Sequence, residues 1–135
     1  VLMPTEQLVA QASVLRQLPV DLVFDHFARI AGHEAGSPAH ALLLELLATG
    51  RAWLKLSGAY LLSPLGSVED RALDDLARRF IQAAPERMLW GSDWPHLNVA
   101  AAPDALDLLS LMKRWTASEV LVEKILVSNP ARLYL

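Results

Sequence analysis

The sequence predicts an α/β fold built from parallel strand–helix units, and two features of its pattern carry that prediction. Short, β-branched apolar segments alternate with longer segments of helical period. Each short segment also reads as a nearly continuous apolar run, as strands covered on both faces do in parallel sheets. A third observation bears on assembly. Hydrophobic residues make up 53% of the 135 residues and mean hydropathy is +0.29. That is high for one small domain with its own polar surface, so either both strand faces are covered or apolar surface awaits a partner.

The elements follow in order. Residues 4–18 open on Pro4 and Thr5 and carry Leu8, Ala12 and Leu15 at helical spacing. Residues 20–25, within "PVDLVFDHF", form the first predicted strand. Residues 36–50 predict a helix with Ser37 as N-cap, Pro38 at the first helical position and Gly50 as the stop. "AWLKLSG", 52–58, is the second strand and ends at Gly58. Residues 67–84 give the clearest helix, with Leu73, Leu76, Ala77, Phe80, Ile81 and Ala84 on one stripe. "RMLWGSD", 87–93, is the third strand. Residues 102–115 predict a helix opened by Pro103, and Thr116 with Glu119 predicts a capping box for another over 117–127. A helical turn after Pro130 closes the chain. There is no internal repeat, low-complexity segment or linker, so one structural unit is expected.

Composition excludes several function classes. Without cysteine there is neither a disulfide framework nor a thiolate metal site, and a reducing, cytoplasmic setting is expected. The formal charge of −3, with no basic run, argues against nucleic acid and anionic membrane as partners. No stretch reads as a signal peptide, and the apolar runs are far too short to span a bilayer.

Chemistry gathers where a parallel α/β fold places it, beyond the carboxyl ends of the strands. The first strand ends in Asp25–His26, the second in Lys55–Ser57–Gly58 with Tyr60 close behind, and the third in Ser92–Asp93 with His96 following. Asp93 and His26 are the leading candidates, a carboxylate and an imidazole on one rim; Asp93 otherwise caps a turn, and His26 is otherwise a core histidine. His96 either meets substrate or caps its loop. Lys55, between Leu54 and Leu56, faces a barrel interior or pairs with a helix carboxylate. Ser57 and Tyr60 are secondary candidates for substrate contact, and Asp25 is expected to fix a loop or a histidine tautomer. His33 and His40 are expected in solvent, and Trp53, Trp90 and Trp94 in packing.

These segments are also similar to a known family. "VFDHF" at 23–27, "WLKLSGAY" at 53–60, "MLWGSDWPH" at 88–96 and "NPARLY" at 129–134 resemble the carboxyl-terminal half of amidohydrolase-related TIM-barrel hydrolases. Within them the resemblance is greatest to the branch of 2-pyrone-4,6-dicarboxylate lactonases, with the sugar lactonases nearby. "GSDWPH" after an apolar strand is the most specific of these motifs. The resemblance implies a fold of parallel (β/α) units forming the C-terminal half of a TIM-like barrel. It implies hydrolysis of a cyclic ester, with a small-molecule carboxylate or lactone as the substrate. Asp93 would be the general base on water, His26 would polarise the carbonyl, and His96 would lie beside the substrate. The cofactor expected is none, or one divalent metal such as zinc or manganese held by His26 and Asp93.

The pattern also departs from the family. The His-x-His pair of its first strand is absent, the histidines being 26, 33, 40 and 96. The family's barrel is about twice this length, near the ~250 residues of the fold. A missing N-terminal half, or a homo-oligomer partner, is therefore expected to complete the structure. Leu61 and Leu62 stand where dicarboxylate lactonases carry an arginine that clamps a carboxylate. Two other readings remain open: a metal-dependent decarboxylase of the same superfamily, and a non-catalytic half-barrel acting through self-association.

Overall fold

A computed structural model describes residues 1–135 except Leu65, Asn98, Ala100 and Ala102. Three strands, β1 (Leu22–Phe24), β2 (Ala52–Leu56) and β3 (Met88–Trp90), form a parallel sheet in the order β1-β2-β3. Val23 lies opposite Trp53, and Lys55 opposite Leu89. Side chains alternate across a sheet, so Leu22, Phe24, Leu54, Leu56 and Met88 share one face, and all are buried. The other face carries Val23, Trp53 and Leu89 in its middle, with Lys55 among them and Asp21, Asp25, Ser57 and Asp93 at the strand ends. Covered on one face by helices, and carrying on the other a mixed face whose polar groups gather at the strand ends, the sheet is built like the wall of a barrel. Its outer edges are β1 and β3, and Val1 lies along β1, its carbonyl accepting from the Asp25 N–H at 3.0 Å.

The helices follow the expected order with shifted ends. The first predicted helix is two, α1 (Thr5–Ala10) and α2 (Ala12–Gln17), meeting at Gln11. In α3 (Pro38–Ala48), Ser37 caps the start by accepting from the His40 N–H at 3.2 Å. A short α4 (Ala59–Leu62) follows β2 at once. Helix α5 (Arg71–Ala83) begins four residues later than the pattern suggested, because Asp70, not Ser67, provides the capping oxygen for Leu73. Its stripe of Leu73, Leu76, Ala77, Phe80 and Ile81 is buried as expected. Helix α6 (Ala105–Thr116) is capped by Asp104; Ala102, where its expected span begins, lies outside the described residues.

The expected capping box at Thr116 is not formed. Thr116 ends α6 and donates to the Met112 carbonyl, Ala117 turns left-handed, and Ser118 caps α7 (Glu119–Glu123). A π-helical turn (Lys124–Ser128) leads into α8 (Asn129–Tyr134). Asn129, buried in the last of these, donates to the carbonyls of Pro85 and Met88 at 2.8 and 2.7 Å. It thereby clamps the entry to β3. Helices α5 and α6 are joined by buried Asp74, which accepts from Arg114 at 2.9 Å and from the Trp115 indole at 2.7 Å. A buried carboxylate satisfied by several donors in this way stabilises the pairing of the two helices, whereas loss of one partner would strand a charge.

His40 corrects a second expectation, since it is buried and not solvated. Its ring meets Phe80 edge-on at 5.1 Å, and its Nδ1 accepts from the Gly36 N–H at 2.9 Å. Nε2 has no partner among the described residues. Burial, and then the charge of Arg79, push the imidazole below its usual value of 6.5. As pH falls, the unfolded chain takes up this proton first, so stability present above 6.5 is lost as pH drops through the lowered folded value. We expect the thermal midpoint to begin falling below pH 6.5, and His40→Gln, a neutral acceptor, to remove that component in a pH series of melting curves.

Candidate active site

The end of β1 turns back on itself in an unusual way. His26, Phe27, Ala28 and Arg29 all have positive φ, between 50° and 64°, forming one left-handed turn. Such backbone costs L-residues about 1–2 kcal/mol each. Burial of Phe27, Ala28 and Ile30 holds it in place, with the Phe27 ring edge-on to Trp115 at 5.5 Å. The turn aims His26 across the end of β2. There Gly58, itself at φ 63°, leaves room for the ring: a Cβ would stand 2.9 Å from His26 Nδ1.

Beyond β3 the chain bends again. Asp93 and His96 have φ of 63° and 60°, the Trp94–Pro95 peptide between them is cis, and the His96 N–H donates to the Asp93 carbonyl at 2.8 Å. This bend returns both side chains to the rim.

The result is a connected cluster. His26 Nδ1 lies 2.8 Å from Ser57 Oγ, leaving Nε2 3.4 Å from Asp93 Oδ1. Tyr60 donates to Asp93 Oδ2 at 2.7 Å and lies 3.2 Å from His96 Nδ1. Burial, followed by the hydrogen bond to and the charge of Asp93, pushes the Tyr60 phenol well above its ordinary value. It therefore stays protonated and acts as a donor. His26 and Asp93 side chains are 17% and 21% exposed, screened yet reachable. A cavity of about 540 Å³, within the range of small-ligand pockets, is lined by His26, Asp93, Asp25, Lys55, Ser57 and Trp90, with Tyr134 at its edge.

Each expected site residue can now be placed. Asp93, His26, His96, Ser57 and Tyr60 meet in one network. Lys55 faces the same cavity, but its partner is Asp25 of the neighbouring strand at 2.6 Å, not a helix carboxylate. Asp25 is thus occupied by Lys55, and it is Ser57 that addresses the His26 ring. His33 is exposed as expected. Trp53 packs, its indole donating to Asp21, but Trp94 is 79% exposed and supports no core. The cavities also gain Tyr134 and Arg29, which the strand-end pattern does not reach; the sequence signal for Arg29 is its place three residues after His26.

Parallel strand–helix units whose strand ends gather a carboxylate, two imidazoles and hydroxyls place this chain among α/β barrel segments with a polar rim at the strand ends. The comparisons name the family. The model described as Amidohydrolase matches residues 1–135, and the chain belongs to that family. It is 38% identical over 117 residues to a 4-sulfomuconolactone hydrolase of Rhizobium radiobacter, covering 84% of this chain and 39% of that protein. It is 35% identical over 127 residues to a 2-pyrone-4,6-dicarboxylate hydrolase of Comamonas testosteroni, covering 87% of this chain and 42% of the other. Among solved structures, an apo Agrobacterium tumefaciens protein superposes with a TM-score of 0.86 at 31% identity, over 98% of this chain and 48% of that one. A Burkholderia multivorans amidohydrolase with bound zinc superposes with a TM-score of 0.76 at 27% identity, over 99% of this chain and 51% of its own. The chain therefore spans about two fifths of the curated relatives and about half of the solved structures. Its fold is that of parallel (β/α) units from one half of a TIM-like barrel.

Zinc in a relative raises the question of whether these donors suit a metal. Catalytic zinc takes three protein ligands. Here His26 and Asp93 converge, His96 Nδ1 is turned to Tyr60, and no group of three or more metal-binding side chains occurs among the described residues. Two donors do not make such a site on their own. No helix among the described residues is long and apolar enough to cross a membrane.

Proposed function

We propose that this chain is the carboxyl-terminal half of a lactone-hydrolysing barrel, with Asp93 as the general base. The observation that carries this reading is the contact between His26 Nε2 and Asp93 Oδ1 beside a cavity at the strand ends. Tyr60 holds Asp93 Oδ2, and Oδ1, which faces His26 Nε2 at 3.4 Å, is the oxygen that a water molecule reaches from the cavity. The carboxylate takes a proton from that water as its oxygen attacks the lactone carbonyl carbon. The carbonyl electrons move to oxygen, and the His26 ring, steadied by Ser57, stabilises that charge by hydrogen bonding. Collapse of the tetrahedral species breaks the ring C–O bond, and the proton passes to the departing alkoxide, giving a hydroxy acid. Lys55 stands on the cavity wall beside the substrate, while Ser57 and Tyr60, with His96 behind Tyr60, position the reacting pair.

Completion of the rim by an amino-terminal half agrees with the partial coverage of the relatives and with the position of β1 and β3 as the outer strands of a three-stranded sheet. Any further metal ligands would come from that half, and no step here is routed through a metal. The test is hydrolysis in 18O-labelled water by the complete protein, with anionic lactones as substrates. One label is expected in the new carboxylate. Release of carbon dioxide would instead favour the decarboxylase, and no turnover with stable self-association of residues 1–135 would favour the non-catalytic half-barrel. Purified by itself, this segment is expected to be inactive.

A further inference from the structure

We propose that Arg29 binds the anionic substituent of the substrate and so determines which lactones are accepted; the assignment of a lactone rests on the function proposed above. His26 and Asp93 stand between two cavities. The second, of about 360 Å³, is lined by both of them and by Arg29. Its remaining wall is apolar: Leu2, Leu61, Trp94, Pro95 and Leu97. Three of these, Leu2, Trp94 and Leu97, are 58%, 79% and 68% exposed, a dense group of bare apolar side chains around one cation.

The left-handed turn explains the placement. In a tight helical turn of three residues, side chains at i and i+3 eclipse, so Arg29 returns to the side of the chain from which His26 projects. Arg29 makes no hydrogen bond or ion pair with another described residue. A guanidinium carries five donors in a planar fork that matches a carboxylate or sulfonate. The other cations near the reacting pair are less available, since Lys55 is bound to Asp25. Asp93, the carboxylate in this cavity, already accepts from Tyr60 and faces His26.

Leu61 of α4 lines the same cavity and adds only apolar wall, so Arg29 is the cation among the lining residues. The substrate that fits has its lactone carbonyl at His26 and Asp93, a short apolar arm along Trp94 and Leu97, and one carboxylate or sulfonate at Arg29.

The test uses the complete protein and three matched lactones bearing a carboxylate, a sulfonate or a neutral methyl ester. The readout is the ratio of kcat/KM for each anion to that for the ester. Arg29→Gln should lower the ratio about 30-fold, chiefly through KM, as loss of a charge-assisted contact does. Arg29→Lys should restore part of it, keeping charge without the fork. Loss for one anion only identifies that anion as the natural group, and an unchanged ratio for both overturns the proposal. If the unsubstituted protein hydrolyses none of the three, the lactonase reading fails by itself and calorimetric titration with benzoate and benzenesulfonate decides Arg29. Binding abolished by Arg29→Gln upholds the anion site, while absent or equal binding overturns it.

Discussion

Asp93→Asn is expected to lower turnover by about 10³-fold in the complete protein, the scale of losing a positioned general base. The amide keeps the shape of the carboxylate, and its oxygen still accepts from Tyr60, so the bend at Asp93 to His96 should persist. What it loses is the ability to take a proton. The melting temperature should therefore stay near that of the parent while activity collapses. Rates measured on the lactone that the parent prefers decide the matter: retention within tenfold removes Asp93 from the proton transfer and leaves it a structural partner of Tyr60.

Gly58→Ala comes next in size. At φ 63° an alanine is strained by about 1–2 kcal/mol. More decisively, its Cβ would stand 2.9 Å from His26 Nδ1 and 3.1 Å from Cγ, so the ring must move and the Ser57 contact opens. Displacement of a reacting group by about 1 Å can lower the rate about 100-fold. Gly66→Ala separates the two effects, since Gly66 has φ 59° and nothing within 4 Å of a built Cβ. Both variants should lose stability, and only Gly58→Ala should lose activity. Parallel melting curves and single-turnover rates check this, and equal activity in the two would mean that the position of His26 is immaterial.

Much of this site was legible because the parallel βα order fixes where reacting groups stand. Asp93, His26 and His96 follow directly from where the strands end. Tyr60 and Ser57 ranked lower because their contacts join residues 31 to 36 apart, and no local period encodes such a meeting. The turn at 26–29 was hidden for a different reason. Left-handed backbone is ordinarily announced by glycine or asparagine, and His-Phe-Ala-Arg contains neither. Tertiary packing around Phe27 overrides the local preference. His40 lies buried, against its local pattern, because α3 lays it on Phe80, a neighbour 40 residues away. At Thr116 and Ser118 two hydroxyls competed for one cap, and the left-handed Ala117 between them decided it.

The turn after β1 also governs how this protein can drift. Backbone of that hand brings Cβ close to the following carbonyl, and branching at Cβ makes the crowding worse. Valine, isoleucine and threonine are thus barred from positions 26 to 29 whatever their chemistry. At position 29 lysine, glutamine, glutamate and methionine remain admissible, so the charge at the cavity can change while the imidazole one turn away stays fixed. Tolerance here sorts by side-chain branching rather than by polarity, so under the proposed roles a change of preference at position 29 need not disturb His26 and Asp93.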